Sequence, residues 1–433
     1  MSAPAPATAR PLALGDSARA QRVRLYGTWL VAAIVVAALP QVLTAPAAVP
    51  VLNQMGIAVV FALSYNVLLG QGGMLSFGHA VYLGLGGFVA AHALNLANTH
   101  GLGLPVALVP LVGAGAGLAF AALFGTFSTN RAGTVFAMIS LGIAEMMAAS
   151  SLIFDGFFGG EEGITTNRAR AATLLGLAFK TDRDVYYLIA FWAFVSAVAM
   201  YAFSRTPIGR MANAVRDNPE RAEFVGYSQR TVRYVSFCAA GLFAGLAGGL
   251  FAVNYEIVTA DNMGVGASGA VLLMTYIGGI GSFAGPVVGA IVYTFLQSML
   301  SDYTSVWLLY VGLVFLAVVL FVPAGLVGVL AMHAPVWRFR RVGRLIGPYL
   351  VAGALMIVTA AGLIGCLEMI HLLASASAGR TTRRLFWVIV DARSVTPWLV
   401  FAGLTIAGAV GLRAIAPRVS TAFAEASRPP GAR

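Results

Sequence analysis

A few polar side chains interrupt otherwise apolar stretches, and they are the first candidates for chemistry. Gln71, Ser76 and His79 lie in a Gly-rich stretch, and Glu145 lies within the apolar run 132–154. Polar groups at membrane depth are tolerated only where protein or a water-filled cavity covers them. We therefore expect the first three either to line a polar pathway or to hold a structural kink through internal hydrogen bonds. Glu145 is expected to face the bundle interior, to snorkel, or to pair with a backbone group.

Sequence motifs for catalysis are missing. The chain contains no Gly-x-x-x-x-Gly-Lys-Ser/Thr phosphate loop, no HExxH-type metal motif, no paired carboxylates and no nucleophile elbow. Cys238 and Cys366 each lie in an apolar run and form no metal-ligand spacing. A proton relay through His79 lacks a carboxylate partner nearby in the sequence. We predict that the chain is not an enzyme, does not hydrolyse ATP itself, and binds no metal or cofactor.

Composition indicates that lipid is the solvent of this chain. Of its 433 residues, 59% are hydrophobic and 10% are charged, and the mean hydropathy is +0.85. Soluble domains carry about 25% charged residues, so this much apolar surface cannot be hidden in one water-soluble core. The net charge of +11 comes with arginines that cluster in short gaps between apolar runs. This pattern is typical of cytoplasmic loops and lipid headgroup contacts, so we expect a bilayer as the partner and no nucleic acid.

Apolar runs long enough to cross a bilayer recur along the chain. A spanning helix needs ~20 mostly apolar residues, and the sequence predicts an all-α, polytopic membrane helix bundle of about ten or eleven segments. The block 266–301 is too long for one ordinary span and is interrupted by glycines and Pro286. We predict a broken or re-entrant pair of helices there, meeting at Ser282-Phe283. The candidate spans are 26–46, 50–69, 74–97, 104–127, 132–154, 185–204, 232–256, 266–301, 305–330, 348–373 and 395–415.

Arginine-rich segments predict the orientation. Six arginines lie in 205–233, four in the tail 1–25 and four in 331–347. The positive-inside rule places all three segments in the cytoplasm, with residues 1–25 as a disordered cytoplasmic tail. The number of predicted spans between these three segments is consistent with this orientation if 266–301 enters and leaves the membrane by the same face. An uncleaved first helix fits the long run after the tail better than a cleavable signal peptide does.

The segment 155–184 then falls outside the membrane. It is nearly balanced in charge and contains Glu161 and Glu162 within the stretch Phe-Gly-Gly-Glu-Glu-Gly-Ile at 158–164. These two carboxylates are candidates for an outer gate, where they would meet a cationic group on a solute or on a binding protein. The alternative is that they are solvated loop charges.

The C-terminal segment 331–433 fits the charge rule less well. If both of its candidate helices span the membrane, Arg380, Arg383, Arg384 and Arg393 face outside, against the rule. Either these helices are interfacial or the rule is overridden there. We treat 331–433 as an additional membrane-associated extension whose role the sequence does not reveal.

A faint internal repeat connects two Gly-rich segments. Residues 72–77 read Gly-Gly-Met-Leu-Ser-Phe, and residues 278–283 read Gly-Gly-Ile-Gly-Ser-Phe. Paired Gly-interrupted segments in two related halves point to the transport pathway of transporters, so Ser282 and Phe283 join the pathway candidates. Other glycines are spaced by four, which predicts close helix packing in lipid, namely Gly113 and Gly117, and Gly241, Gly245 and Gly249.

The most regular motif lies between two predicted spans, at 206–227. Thr206 can cap a helix that has Pro207 at its first position; Asn218 and Pro219 repeat this signature, and Gly226 supplies a stop. We predict two short, charged helices on the cytoplasmic face.

The first of these helices would align Ile208, Met211 and Val215 along one stripe, with Arg210 and Arg216 beside it. Such a stripe suits docking into a groove of a partner protein. The alternative is a solvated linker, but a linker would not need this regular capping.

Three long motifs follow one another in a recognisable order. The first is Asn-Val-Leu-Leu-Gly-Gln-Gly-Gly-Met-Leu-Ser-Phe-Gly-His-Ala at 66–80, and the second is 206–227 with the Gly-rich run 241–250 after it. The third is Gly-Gly-Ile-Gly-Ser-Phe-Ala-Gly-Pro-Val-Val-Gly-Ala at 278–290. Together they resemble the branched-chain amino-acid ABC transporter permease family. The resemblance covers roughly 26–330, which we take as the permease domain.

The resemblance implies an inner-membrane permease subunit of an ATP-driven importer in a bacterium, carrying branched-chain amino acids or related small polar solutes. It implies a second permease subunit, two cytoplasmic ATPase subunits that use ATP and Mg, and an extracytoplasmic solute-binding protein. It also implies that 206–227 is the coupling element that meets an ATPase. The candidate coupling residues are Pro207, Ile208, Gly209, Arg210, Met211, Val215, Arg216, Asp217, Asn218, Pro219, Glu220, Glu223 and Gly226.

An ion-coupled secondary transporter of small solutes is the alternative function. It would need ion-coupling groups inside the membrane, and the candidates are His79, Glu145 and Glu368.

Overall fold

The computed structural model describes residues 14–101, 103–172, 179–339, 341–374, 382–386 and 388–428. Predictions for the tail before Leu14, for Arg340 and for Arg380 lie outside these residues. The chain divides into two compact units. Unit 1 comprises Met1–Tyr303 and Val311–Leu326, and unit 2 comprises Thr304–Tyr310 and Val327–Arg433.

Helices make up most of the described chain, and their bounds follow the apolar runs. The first ten are α1 (Leu14–Val42), α2 (Ala48–Asn66), α3 (Ala80–His100), α4 (Val109–Ser128), α5 (Gly133–Ile153), α6 (Asp155–Phe158), α7 (Asp182–Arg205), α8 (Pro207–Asp217), α9 (Pro219–Phe224) and α10 (Gln229–Tyr255). The others are α11 (Val265–Gly278), α12 (Ala284–Tyr303), α13 (Trp307–Phe321), α14 (Gly325–Met332), α15 (Ala334–Arg338), α16 (Gly343–Ala374) and α17 (Val395–Ser427).

Two pairs of short antiparallel strands are also present in the described residues. In unit 1, β1 (Ile164–Thr165) pairs with β2 (Ile257–Val258). In unit 2, β3 (Thr382–Leu385) pairs with β4 (Val388–Asp391) between α16 and α17.

The prediction of a polytopic helical membrane bundle is confirmed. Within the described residues, nine helices are long and apolar enough to cross a membrane, and a broken pair at Trp307–Phe321 and Gly325–Arg338 raises the number to ten. Both α16 and α17 meet this criterion, so by length and composition the extension has two spans in spite of its arginines. Shorter apolar helices cover Tyr26–Val42 and Val265–Gly278.

Two predicted boundaries need correction. Helix α1 begins at Leu14, so disorder was wrongly predicted for 14–25; the alanines, leucines and arginines of this stretch are strong helix formers and extend the apolar helix backwards. The predicted single span 305–330 is broken between α13 and α14, where Pro323 cannot donate a helical hydrogen bond.

The break predicted at Ser282-Phe283 is confirmed, because α11 ends at Gly278 and α12 begins at Ala284. The chain turns there with Gly279 at φ 111°, in the left-handed region that favours glycine. A Cβ on Gly279 would also lie 3.3 Å from Gly325 Cα. The turn therefore combines positive φ with close backbone approach, and glycine meets both demands.

The glycines spaced by four lie at close helix contacts, as predicted, and the structure shows that they place α4 directly against α10. A Cβ on Gly117 would lie 2.7 Å from Gly245 Cα, and a Cβ on Gly113 would lie 2.5 Å from Gly245 O. Backbones can approach this closely only when both residues lack side chains. This contact joins two long helices of unit 1.

Candidate functional site

The first Gly-rich segment, 72–79, is an irregular stretch inside the bundle. Helix α2 continues as a π-helix over Val67–Gln71, and regular helix resumes only at Ala80. Side chains replace the missing helical hydrogen bonds here. Tyr65 Oη donates to Ser76 O at 3.0 Å, Phe77 N donates to Ser140 Oγ at 3.0 Å, and Ala80 N donates to Ser268 Oγ at 3.0 Å. Helices α2, α5 and α11 thus hold the break in one conformation.

His79 lies at the end of this break, 1% exposed. The Ser64 hydroxyl donates to Phe61 O at 2.7 Å, so the 2.9 Å contact between Ser64 Oγ and His79 Nε2 has the imidazole as donor. Nδ1 is then the acceptor nitrogen, and it has no hydrogen-bond partner among the described residues. The ring stacks on Phe61 with centroids 5.4 Å apart. His79 is therefore held as a buried, aromatic-packed group.

The two breaks predicted from the internal repeat lie side by side. A Cβ on Gly70 would lie 3.0 Å from Ile280 O, so the end of the π-helix contacts the turn between α11 and α12. Gln71 Oε1 and Asn66 Oδ1 are buried close to this junction and have no partner in the part of the chain that the structure describes. Polar atoms of this kind are the ones a solute or water could satisfy.

Ser282 and Phe283 have structural roles in the second break. Ser282 Oγ accepts a hydrogen bond from Gly285 N at 3.0 Å and so supports the first turn of α12. Phe283 packs edge-on against Tyr201, with centroids 5.3 Å apart, and lies 6.4 Å from the ring of Trp29. The prediction that these two residues line a pathway stays a prediction.

Glu145 does not face the interior of the bundle. It is exposed on α5, and its neighbours Met138 and Leu141 on the same face are also exposed. Helix α5 contributes its other face, with Phe136 and Ala144, to the core of this chain, so Glu145 is not buried inside it, and its place in a solute pathway stays a prediction.

The outer loop presents Glu161 and Glu162 as exposed side chains in a turn. The flanking Gly159, Gly160 and Gly163 all have positive φ, at 74°, 62° and 74°, so this turn needs glycine.

Sequence analysis missed the anchor of the outer loop, which is Arg168. Its backbone N donates to Glu256 Oε1 at 2.7 Å, and its guanidinium donates to Asn254 O at 2.9 Å and to Asp182 Oδ1 at 2.8 Å. The guanidinium thereby ties the loop to the end of α10 and the start of α7. No local pattern signals this role, because the three partners are distant in sequence.

The two short helices predicted at 206–227 are present, with the predicted caps. Thr206 Oγ1 accepts from Gly209 N at 3.1 Å at the start of α8, and Asn218 Oδ1 accepts from Arg221 N at 3.0 Å at the start of α9. Gly226 follows with φ 89°. Arg210, Asp217, Glu220 and Glu223 are exposed around the two helices, and Pro207 and Pro219 occupy their first turns.

The apolar stripe of α8 does not face outward, and its prediction as a docking surface was wrong. Val215 is 3% exposed and packs with Ala212, Ala222 and Val232, with Met211 against this cluster. Ile208 is half-buried. An amphipathic helix buries its apolar face on the nearest apolar surface, and here that surface is the start of α10 in the same chain.

The exposed apolar residues of this region lie instead at the end of α9. Phe224 is 90% exposed and Val225 is 67% exposed. Sequence analysis missed both, because its stripe was drawn on α8 alone. We call the exposed surface formed by Arg210, Glu220, Glu223, Phe224 and Val225 the α8–α9 knob.

Two cavities occur near these elements in unit 1. The outer one, of about 370 Å³, is lined by polar residues of α3 and the outer loop, including Asn95, Asn98 and Arg170. The inner one, of about 150 Å³, has mainly apolar walls with amide and hydroxyl groups among them. Its lining is Gln54, Ile57, Ala58, Phe61, Leu83, Phe251, Tyr255, Asn262, Ala267, Ala270, Met274, Thr294 and Gln297.

In the described ranges, no group of three or more His, Cys, Asp or Glu side chains could hold a metal ion.

Comparison with known proteins is consistent with this architecture. A family model described as "Branched-chain amino acid transport system / permease component" matches residues 47–323. The chain belongs to this family. It is a permease subunit of an ABC transporter, a multi-pass membrane protein that works with other components of such a transporter.

Individual relatives share modest sequence identity with this permease. The high-affinity branched-chain amino acid transport system permease protein LivM of Escherichia coli (strain K12) is 27% identical over 297 residues, or 62% of this chain and 67% of LivM. LivM of Salmonella typhimurium is 26% identical over 325 residues, or 69% and 74% of the two chains. The guanosine ABC transporter permease protein NupQ of Bacillus subtilis is 25% identical over 116 residues, 27% of this chain and 36% of NupQ. No solved structure matches the chain.

Proposed function

We propose that this permease translocates branched-chain amino acids, or closely related small polar solutes, into a bacterial cell across the inner membrane. It pairs with a second permease subunit, two cytoplasmic ATPase subunits that use ATP and Mg, and an extracytoplasmic solute-binding protein. Its own chain binds no cofactor, and its N-terminus lies in the cytoplasm.

The α8–α9 knob is the observation that carries this proposal. It presents Phe224 and Val225 next to each other, 90% and 67% exposed, at the end of a short, capped, charged helix, and exposed aromatic side chains of this kind anchor protein interfaces. The cluster of Val215, Ala212 and Val232 fixes α8 and α9 to the base of α10. A force applied at Phe224 therefore reaches a spanning helix directly, as an ATPase-driven rigid-body movement requires.

The exposed face of α5 supports pairing with a second permease subunit. A carboxylate within an apolar span is tolerated beside protein or water but not beside lipid. Glu145 lies on this face with Met138 and Leu141. We assign the face to the interface between the two permeases, where the pathway for solute would run.

The inner cavity supports an amino acid with a branched aliphatic side chain. Its volume of about 150 Å³ accommodates an apolar group as large as a six-carbon ring. Its walls combine residues such as Ile57, Leu83 and Met274 with the amides of Gln54 and Asn262. Binding sites of this kind take an apolar group into the pocket and orient the polar end with a few placed hydrogen bonds.

The direct test is transport by the complete complex. The permease is reconstituted in proteoliposomes with its partner permease, ATPases and solute-binding protein, and uptake of radiolabelled leucine, valine, glutamate and guanosine is measured. We expect uptake of leucine and valine that requires ATP on the ATPase side and is indifferent to ion gradients. Uptake that follows a proton or sodium gradient without ATP would instead identify a secondary transporter.

Substitution of Phe224 tests the knob itself. Phe224→Ala should weaken capture of the ATPase subunits about 10- to 30-fold, because a buried aromatic anchor contributes about 1.4–2 kcal/mol or more to an interface. Copurification and surface plasmon resonance in nanodiscs measure this. The matched control is Phe191→Ala, which removes a phenylalanine that is 60% exposed on the spanning helix α7. Equal ATPase binding by both variants would refute the assignment of the knob.

A further inference from the structure

One side chain of α8 reaches the first break in the bundle. The guanidinium Nη1 of Arg216 donates to the carbonyl oxygen of Gly70 in a half-buried contact. Its Nε donates to Asp217 Oδ1 at 2.9 Å on the exposed side. Arg216 thus extends from the surface of the cytoplasmic helices to the end of a membrane helix 146 residues earlier in the chain.

The carbonyl that Arg216 contacts is one that needs a partner. Gly70 lies in the last turn of the π-helix that ends at Gln71, and the final carbonyls of a helix lack intrahelical donors. They also form the negative end of the helix dipole, where a cation is favoured. A guanidinium supplies both a donor and a permanent positive charge, so Arg216 acts as a C-cap contributed by another helix.

Neighbouring atoms leave the Arg216 side chain little room to move away from Gly70. Gly73, with φ 64°, lies under the Arg216 side chain, and a Cβ there would lie 2.5 Å from Arg216 Cγ. The same Gly70 lies against the second break, since a Cβ on it would lie 3.0 Å from Ile280 O. Arg216, Gly70 and Ile280 thus form a continuous chain of contacts from α8 to both breaks.

We propose that Arg216 is the positioning residue that transmits movement of α8 to the paired breaks at 72–79 and 279–283. The inference rests on the proposed function, because it assigns the route by which ATPase closure reaches the membrane. When α8 moves, Arg216 carries the end of the π-helix with it, and the adjacent turn before α12 follows. A solute pathway gated at these breaks then opens or closes with the ATPase cycle.

The contact itself is tested by hydrogen–deuterium exchange of the full-length permease in nanodiscs. In Arg216→Met the end of the π-helix loses its cap, and we expect the amides of 70–79 to exchange about tenfold faster, as expected for loss of a hydrogen bond to a charged group. Arg216→Lys retains a donor and the charge and should restore most of the protection. The control is Arg230→Met, which removes an exposed arginine from the start of α10. Unchanged exchange in Arg216→Met would overturn the proposal.

Transmission is tested by the number of solute molecules transported per ATP in the reconstituted complex. At equal amounts of bound ATPase, we expect Arg216→Met to lower this ratio at least about fivefold, with recovery in Arg216→Lys. Faster exchange with an unchanged ratio would make Arg216 a structural cap only and overturn the coupling role. If the wild-type complex shows no ATP-driven uptake, the proposed function fails and the coupling role fails with it. The exchange result would still report whether the cap exists.

Discussion

The α4–α10 contact of unit 1 and the α16–α17 contact of unit 2 are both close helix pairs, but they differ in how much of each helix is buried. In the most apolar windows of α4 and α10, 39% and 67% of the residues are buried, whereas in α16 and α17 the shares are 11% and 6%. The helix pair of the permease domain is thus covered more extensively by other helices of the chain. The helices of the extension leave nearly all of their surface for lipid or for partner subunits.

Glycines lie at helix contacts in both regions, but they do not all meet the same kind of atom. In unit 1, Gly245 meets the backbone of Gly113 and Gly117. In unit 2, Gly362 and Gly408 likewise lie against backbone atoms of the facing helix, whereas the atoms nearest to Gly411 belong to the side chain of Leu355. A backbone atom cannot move aside without bending its helix, whereas the end of a leucine side chain can rotate. Gly245 is therefore required in the permease core, whereas a change at Gly411 of the extension is tolerated.

Polar side chains also hold the extension together, near the end of α16. Glu368 Oε1 accepts from Tyr310 Oη at 2.9 Å, and Glu368 Oε2 accepts from Arg383 Nη1 at 2.7 Å. The side chain of Glu368 is 5% exposed and that of Arg383 is 35% exposed. Both oxygens of a buried carboxylate are thereby satisfied, and the β3–β4 hairpin is tied to α16.

The largest effect is expected when the core glycine is replaced. In Gly245→Ala the new Cβ would lie 2.7 Å from Gly117 Cα, so α4 and α10 must separate, and we expect a loss of about 3 kcal/mol or more. Size-exclusion chromatography and thermal unfolding in detergent should show little folded protein. The control is Gly115→Ala on the open side of α4, where a Cβ meets nothing within 4 Å. A normal elution profile for Gly245→Ala would contradict the strict requirement for glycine where α4 meets α10.

A smaller, local effect is expected in the extension. Glu368→Gln removes the charge that faces Arg383, and we expect a loss of about 1–2 kcal/mol confined to unit 2, since the partner is partly exposed and screened. Limited proteolysis should cut the β3–β4 hairpin sooner while transport by unit 1 persists. Glu425→Gln, at an exposed position near the end of α17, is the matched control. Early cleavage within α4 or α10 would show that the two regions do not unfold separately.

Sequence reasoning succeeded where the signal was local. The glycine spacing at 113–117 and 241–249 predicted close helix packing at these positions, and Thr206 and Asn218 predicted the starts of α8 and α9. Caps and small-residue spacings act through neighbours three or four positions away, so they can be read from a single sequence.

It failed where the outcome depended on distant partners. The stripe through Val215 was predicted to meet another protein, but Val232 lies close enough in the fold to bury it. The hydrogen bond from Arg216 to Gly70 joins segments 146 residues apart, and Arg168 binds partners on two other helices. No pattern within either segment reveals such a pairing.

The smallest effect should come from the glycine of the extension. In Gly411→Ala the new Cβ would lie 2.7 Å from Leu355 Cδ2, and that methyl group can move because it ends a flexible side chain. Alanine also favours helix over glycine by about 1 kcal/mol, so we expect a net change within about 1 kcal/mol in either direction. Thermal unfolding of Gly411→Ala and of Gly245→Ala, measured under the same conditions, compares the two changes in stability directly. Equal losses in the two variants would mean that the Leu355 side chain cannot move aside and that Gly411 is required as strictly as Gly245 is.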